Sequence, residues 1–224
     1  MDKGIFNIYK PVGVTSHDVV DRIRRLTGEQ RVGHAGTLDP LADGVLVVAV
    51  GREFTKMLDT ELGKEKEYRA DITLGQISTT DDEEGEKQGV VFEIIPTTSE
   101  IQKLLPQFIG QIEQTPPRYS AVHVNGMRAY KAARAGKALD LKPRSVFIKN
   151  IHIVSYGWPH VVLDVICGSG VYIRSLARDI GAALGCGGYI HKLRRTRVGE
   201  HVIESAKCPY HDFTTDCDHK NTGY

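Results

Sequence analysis

The chain has no apolar run near the roughly 18 residues that cross a bilayer as a helix. Its opening, MDKGIFNIYK, carries charges where a secretory signal would have its apolar segment. These absences exclude the simplest membrane-spanning and secreted readings, and the cytoplasm is the expected compartment. Cysteine is scarce: Cys167, Cys186, Cys208 and Cys217 include no CxxC pair. Four such residues in a chain of 224 do not make a disulfide framework, so reduced thiols are expected. The tail CPYHDFTTDCDH holds two Cys and two His, but their spacing matches no common zinc module. No metal site is expected, and residues 209–224 read as a short polar tail. Net charge is nearly absent too, at +1, which by itself argues for no polyanionic partner.

What is present is charge sorted along the chain. Between Asp59 and Glu100 acids dominate, peaking at DDEEGE over 81–86. Between Arg128 and Lys149 the bases Arg128, Lys131, Arg134, Lys137, Lys142, Arg144 and Lys149 face only Asp140, and a second basic cluster, HKLRRTR, fills 191–197. A folded chain with these blocks can present a basic face that net charge conceals, or merely a solvated surface.

Periodicity gives the coarse architecture. GIFNIYK reads as a strand ending at a Pro-Val-Gly turn, and Ser16 as the N-cap of HDVVDRIRRLTG, with Gly28 past its end. GVLVVAVG, 44–51, is a branched apolar run bounded by glycines, the pattern of a strand buried on both faces. YRADITLG alternates, with Tyr68, Ala70, Ile72 and Leu74 on one side, and the acidic stretch 78–89 follows as an exposed loop. Ser99 to Gln102 fits a capping box opening a helix that Pro106 interrupts. Residues 115–145 are basic and rich in turn formers, an excursion from the main body. Strands resume at NIHIVSY and HVVLDVIC, and YIRSLARDIGAALG follows the helical period. The sum is one mixed α+β domain with a basic insertion.

Three stretches suggest chemistry. In GHAGTLDPLADGVL, 33–46, Pro40 keeps Asp39 out of the helical region and the buried run behind anchors the loop. A carboxylate so held suits a nucleophile or general base, and equally an Asx turn. In GSGVYIRSL, Arg174 occupies a helix first turn, where a cation is disfavoured unless a buried carboxylate answers it. The glycines there lack the third member of a dinucleotide fingerprint. In KEYRADITLG, Tyr68 opens an apolar face, as a core ring or as a platform for a flat heterocycle.

Taken together, KPVGVTSHDVV, GHAGTLDPLADGVL, KEYRADITLG, QTPPRYSAVHVNGMRAYKAARAG, GSGVYIRSLARDIG and LRRTRVG, in this order, closely resemble the TruB family of tRNA pseudouridine-55 synthases, from about Gly4 to Ala206. The resemblance implies a largely antiparallel central sheet flanked by helices, over a catalytic domain at 1–208, with 115–145 as a mobile RNA-binding insertion. It implies Asp39 as the catalytic aspartate, Arg174 as its salt-bridge partner, and Tyr68 stacked on the target uracil. His34 would enter the RNA stack vacated by the flipped base, Tyr172 and Leu193 would line the uracil pocket, and Asp82 would lie near the flipped nucleotides. Arg128, Lys131, Arg134, Lys142 and Arg144 would contact the RNA backbone. The implied reaction is an isomerisation of uridine 55 in the tRNA T-arm, with no cofactor, by a monomer. The chain departs from the family pattern at Thr79, His123, Ser169 and Val171. It also stops soon after LRRTRVGEHVIESA, so no C-terminal RNA-binding domain of the PUA type is expected.

Overall fold

A computed structural model describes residues 2–120, 122–124, 127–129, 132, 135 and 140–210. In chain order its strands are β1 (Gly4–Lys10), β2 (Val32–His34), β3 (Ala42–Val50), β4 (Lys66–Leu74), β5 (Gln76–Ser78), β6 (Lys87–Gly89), β7 (Gly110–Gln114), β8 (His123–Val124), β9 (Met127–Arg128), β10 (Arg144–Gly157), β11 (His160–Cys167), β12 (Gly188–Val198) and β13 (His201–Val202). The helices are α1 (Ser16–Thr27), α2 (Arg52–Thr55), α3 (Leu58–Gly63), α4 (Thr98–Leu104) and α5 (Ile173–Ala183). The expected α+β class holds. The chain divides into two compact units, residues 1–69 with 193–224, and residues 70–192.

In the first unit the strand order is β1-β3-β12-β4, with β2 also on β3 and β13 on β12. β3 meets β1 antiparallel and β12 in parallel, Leu193 opposite Ala42 and Arg195 opposite Gly44. Every residue of β3 is buried, as its unbroken apolar run predicts. Leu46, Val48 and Val50 pack with Ile8 and with Val19, Val20 and Ile23 of α1, while Val45 and Val47 pack on the opposite face with Tyr9, Val198 and Ile203. α1 is capped by Thr15 rather than Ser16, in a reciprocal box with Asp18, and Gly28 closes it. Ser16 is drawn away from capping by a bond to the loop that carries Asp39.

In the second unit the order is β4-β11-β10-β7, with antiparallel registers for β10–β11 and β7–β10. β4 alternates as its sequence predicts, Tyr68, Ala70, Ile72 and Leu74 all buried. α4 opens on Thr97 with a Thr97–Glu100 box, two residues before the expected one, and passes into a 3₁₀ turn over Leu105–Phe108 at Pro106. α5 buries Ile173, Leu176, Ala177 and Ile180. Gly181 lets the backbone of Gly187–Gly188 pass, since a Cβ there would sit 2.2 Å from the Gly188 nitrogen. Within the basic excursion, β8 pairs with β9 in a short ladder; its helical candidate AYKAARAG falls largely outside the described residues.

Cys167 and Cys186 are reduced thiols, as expected, and buried, whereas Cys208 is disulfide-bonded, which corrects the reading of four reduced thiols. Most of the Cys/His tail lies outside the described residues. No helix among these is long and apolar enough to cross a membrane.

Candidate active site

Asp39 lies half-buried in the loop between β2 and β3. The turn after β1 grips this loop. Ser16, almost wholly buried, accepts a hydrogen bond from the Leu38 N–H at 2.9 Å and donates to the Leu38 carbonyl at 3.1 Å. The Gly13 N–H donates to the Pro40 carbonyl at 2.8 Å. The Lys10 ammonium, fully buried, donates to the carbonyls of Pro11 and Val14 at 2.8 Å and of Pro40 at 3.4 Å. Burial pulls the Lys10 pKa down to about 8, against the weaker opposing pull of the Asp43 and Asp39 carboxylates.

Strand β12 braces the same loop from its other flank. Arg195, 1% exposed, donates from Nε to the Val45 carbonyl at 2.7 Å and from a terminal nitrogen to the Gly36 carbonyl at 3.0 Å. Arg194 meets the buried Asp43 carboxylate through Nε at 3.0 Å and a terminal nitrogen at 2.6 Å, and the Tyr9 hydroxyl donates to the same carboxylate at 2.7 Å. Burial, then Asp43, raises the Tyr9 pKa well above the ordinary phenol value. Within HKLRRTR, Arg194 and Arg195 are buried on internal partners and Arg197 is paired with Glu65 and Glu67, while Lys192 is exposed. A carboxylate carried on a loop whose neighbouring carbonyls are tied on both sides is preorganised.

His34 ends β2, half-buried. Burial, reinforced by the Arg195 guanidinium, lowers its pKa below the ordinary imidazole range, so the ring is neutral at pH 7. Its Nδ1 is buried with no hydrogen-bond partner among the described residues. Tyr68 in β4 and Leu193 in β12 are both buried, at 8% and 6% exposure.

The other predicted residues belong to the second unit. Arg174, 5% exposed in the first turn of α5, donates to the Asp82 carboxylate at 3.1 Å, the Thr80 carbonyl at 3.2 Å and the Tyr119 carbonyl at 2.9 Å. Asp82 is thus a buried carboxylate of the kind that a cation at a helix N-terminus calls for. Asp82 also accepts from Thr80 Oγ1 and from the Glu84 N–H at 3.0 Å. The acidic stretch is therefore not simply an exposed loop: Ser78 and Asp82 are buried and Asp81 is half-buried, while Glu83, Glu84 and Glu86 face solvent. Tyr172 precedes α5, its N–H donating to Gln114 Oε1 at 2.8 Å and its carbonyl accepting from Gln114 Nε2 at 3.1 Å.

Of the predicted RNA-backbone residues, Lys142 and Arg144 are exposed and Arg128 lies in β9; Lys131 and Arg134 lie outside the described residues. The residues that sequence reasoning missed are the supports: Lys10, Ser16, Asp43, Arg194 and Arg195. Each is a polar residue with at least one partner 20 or more positions away, and no local period marks it. Among the described residues no group of three or more His, Cys, Asp or Glu converges as a metal site.

Two family models match. The one described as TruB family pseudouridylate synthase (N terminal domain) covers residues 24–173, and the one described as tRNA pseudouridylate synthase B C-terminal domain covers 174–221. The chain is 47% identical over 218 residues to the tRNA pseudouridine synthase B of Thermobifida fusca, covering 92% of this chain and 73% of that protein. It is 44% identical over 200 residues to the one of Ehrlichia ruminantium, covering 88% and 66%. Among solved structures, a Cbf5-Nop10-Gar1 complex matches at 32% identity and TM-score 0.69, over 89% of this chain and 50% of that one. An archaeal box H/ACA sRNP Nop10-Cbf5 complex matches at 30% and 0.68, over 92% and 51%. The chain thus spans about two thirds of the length of such curated relatives and about half of these solved chains. With the N-terminal model matched over 24–173 and sequence identity of this order over most of its length, the chain belongs to the TruB family of pseudouridylate synthases.

Proposed function

We propose that this chain converts uridine 55 in the T-arm of tRNA to pseudouridine, in the cytoplasm, with Asp39 as the catalytic carboxylate. The observation that carries this reading is the fastening of the Asp39 loop by Ser16, Gly13, Lys10 and Arg195. The reaction rearranges one nucleotide. The bond from uracil N1 to the sugar C1′ breaks, the base turns over, C5 bonds to C1′, C5 gives up its proton and N1 gains one. No atom or electron is added, so no cofactor is needed. Asp39 acts at the reacting nucleotide, and the family resemblance gives Arg174 as its salt-bridge partner. Tyr68 stacks on the uracil and takes part in moving the C5 proton, while Tyr172, Leu193 and Asp82 surround the flipped nucleotide.

Extracting the base costs a few kcal/mol. A neutral His34 ring inserted where the base has left offsets part of that cost, and its unpartnered buried Nδ1 supports such a role. Arg128, Lys131, Arg134, Lys142 and Arg144 supply phosphate contacts, which position the RNA without reading its sequence.

A second reading has one observation in its favour: solved structures at 30–32% identity are described as Cbf5-Nop10 and H/ACA assemblies, which suggests guide-dependent action. Incubating the chain with a bare, unmodified T-stem–loop and mapping pseudouridine chemically separates the two. Conversion at the position of uridine 55 without any guide is expected. No conversion of the hairpin or of whole tRNA transcript would refute the proposal.

A further inference from the structure

Arg174 and Arg178 stand one turn apart on α5, on one stripe of the helix, and they reach the same two segments. Arg174 ties the Thr80 carbonyl and the Asp82 carboxylate to the Tyr119 carbonyl. Arg178 ties the Asp81 carboxylate, at 2.9 Å, to the Thr115 carbonyl, also at 2.9 Å. Ser175 adds a bond to that carbonyl at 2.8 Å. The acidic turn and the root of the basic excursion are thus stapled twice to one helix. The family resemblance gives Arg174 and Asp82 places at the site and leaves Arg178 and Asp81 without a role.

Asp81 has an unusual backbone. It is the one non-glycine residue of positive φ, 61°, among the described residues. A side chain rests in that region only where its surroundings over-determine it. Here the Asp81 N–H donates to the Ser78 carbonyl, its carbonyl accepts from the Ile190 N–H, both at 3.1 Å, and its carboxylate is held by Arg178. The next residue is Asp82. With Asp81 fixed, Asp82 Oδ1 receives Thr80 and the Glu84 N–H, which leaves Oδ2 for Arg174.

We propose that Arg178 and Asp81 are positioning residues for the Asp82–Arg174 pair, an inference that rests on the pseudouridine synthase reading above. Burial raises the Asp81 pKa and Arg178 is the strongest opposing influence. Removing that guanidinium leaves a half-buried carboxylate that protonates more readily, and a left-handed turn that has lost one of its three ties. Asp82 and Arg174 then shift, and sub-ångström errors in a reacting geometry show in kcat.

The test compares wild type with Arg178→Gln, Arg178→Lys, Asp81→Asn and the double variant Asp81→Asn/Arg178→Gln. For each, kcat, KM, RNA affinity and Tm are measured. Arg178→Gln is expected to lower kcat about tenfold or more with KM and RNA affinity within about twofold, and Arg178→Lys to recover part of the loss. The double variant should be no slower than Arg178→Gln, because the two groups act as one unit. If Arg178→Gln does not fold, the near-isosteric Asp81→Asn carries the comparison. A variant with wild-type kcat and only a lowered Tm would overturn the inference, since the pair would then be merely structural. An inactive wild type would instead overturn the function on which it rests.

Discussion

Lys10 closes a strand as an ordinary surface lysine would, yet it is fully buried and spends its three protons on three backbone carbonyls, one of them in the Asp39 loop. Below about pH 8 its buried ammonium works against folding by about 3 kcal/mol. The sign follows from the direction of the shift: the folded lysine releases its proton near 8 and the unfolded one near 10.5, so the opposition fades as pH rises between these values. Activity should run the other way. A neutral amine has two N–H donors and cannot serve three carbonyls, so kcat is expected to fall above about pH 8. In Lys10→Met that alkaline limb should vanish, at a lower overall rate; an unchanged limb in the variant would assign it to another group. The Asp43 carboxylate makes a second residue-scale case. Truncating Arg194 to Met strands a buried charge, and chemical denaturation should show a loss of about 3–5 kcal/mol.

Among the elements, the parallel contact of β3 with β12 sets the geometry of the Asp39 loop, and Gly44 makes it possible. Its φ is 113°, and a Cβ there would lie 2.2 Å from the Arg195 carbonyl oxygen. Gly44→Ala should therefore cost more than about 3 kcal/mol or abolish soluble expression; a Tm within a few degrees of wild type would contradict the proposed close contact. At this scale the sequence was largely legible. The unbroken apolar run of β3, the alternation of β4 and the period of α5 all report burial that is decided locally. Helix starts were missed by one or two residues because Thr15 and Ser16, or Thr97 and Ser99, are chemically alike, and only the fold sends Ser16 to Leu38 instead. The charged clusters were misread for a deeper reason. Arg194 and Asp43 are separated by 151 positions, and Arg178 and Asp81 by 97. Nothing local distinguishes such partners from solvated surface charge, so HKLRRTR leaves a basic face and a solvated surface both open, and DDEEGE reads as an exposed loop. The candidate site was legible as a motif, through GHAGTLDPLADGVL, and not as a geometry.

For the whole molecule, a net charge of +1 coexists with a basic stretch from Arg128 to Lys149, in which Lys142 and Arg144 are exposed. With Arg194, Arg195 and Arg197 paired within the chain, the proposed phosphate contacts fall mainly to that stretch. Neutralising about five phosphates predicts that RNA affinity drops by about two orders of magnitude between 50 and 200 mM salt. Affinity insensitive to salt over that range would place recognition elsewhere. The central claim is that one fastened carboxylate performs the isomerisation, and single-turnover conversion of unmodified tRNA by wild type and by Asp39→Asn tests it most directly, with RNA binding measured alongside. The account predicts pseudouridine at position 55 with wild type and none above background with the variant, at RNA affinity within about threefold of wild type, since phosphate contacts rather than Asp39 hold the RNA. Pseudouridine formed by Asp39→Asn at a rate near that of wild type would contradict it.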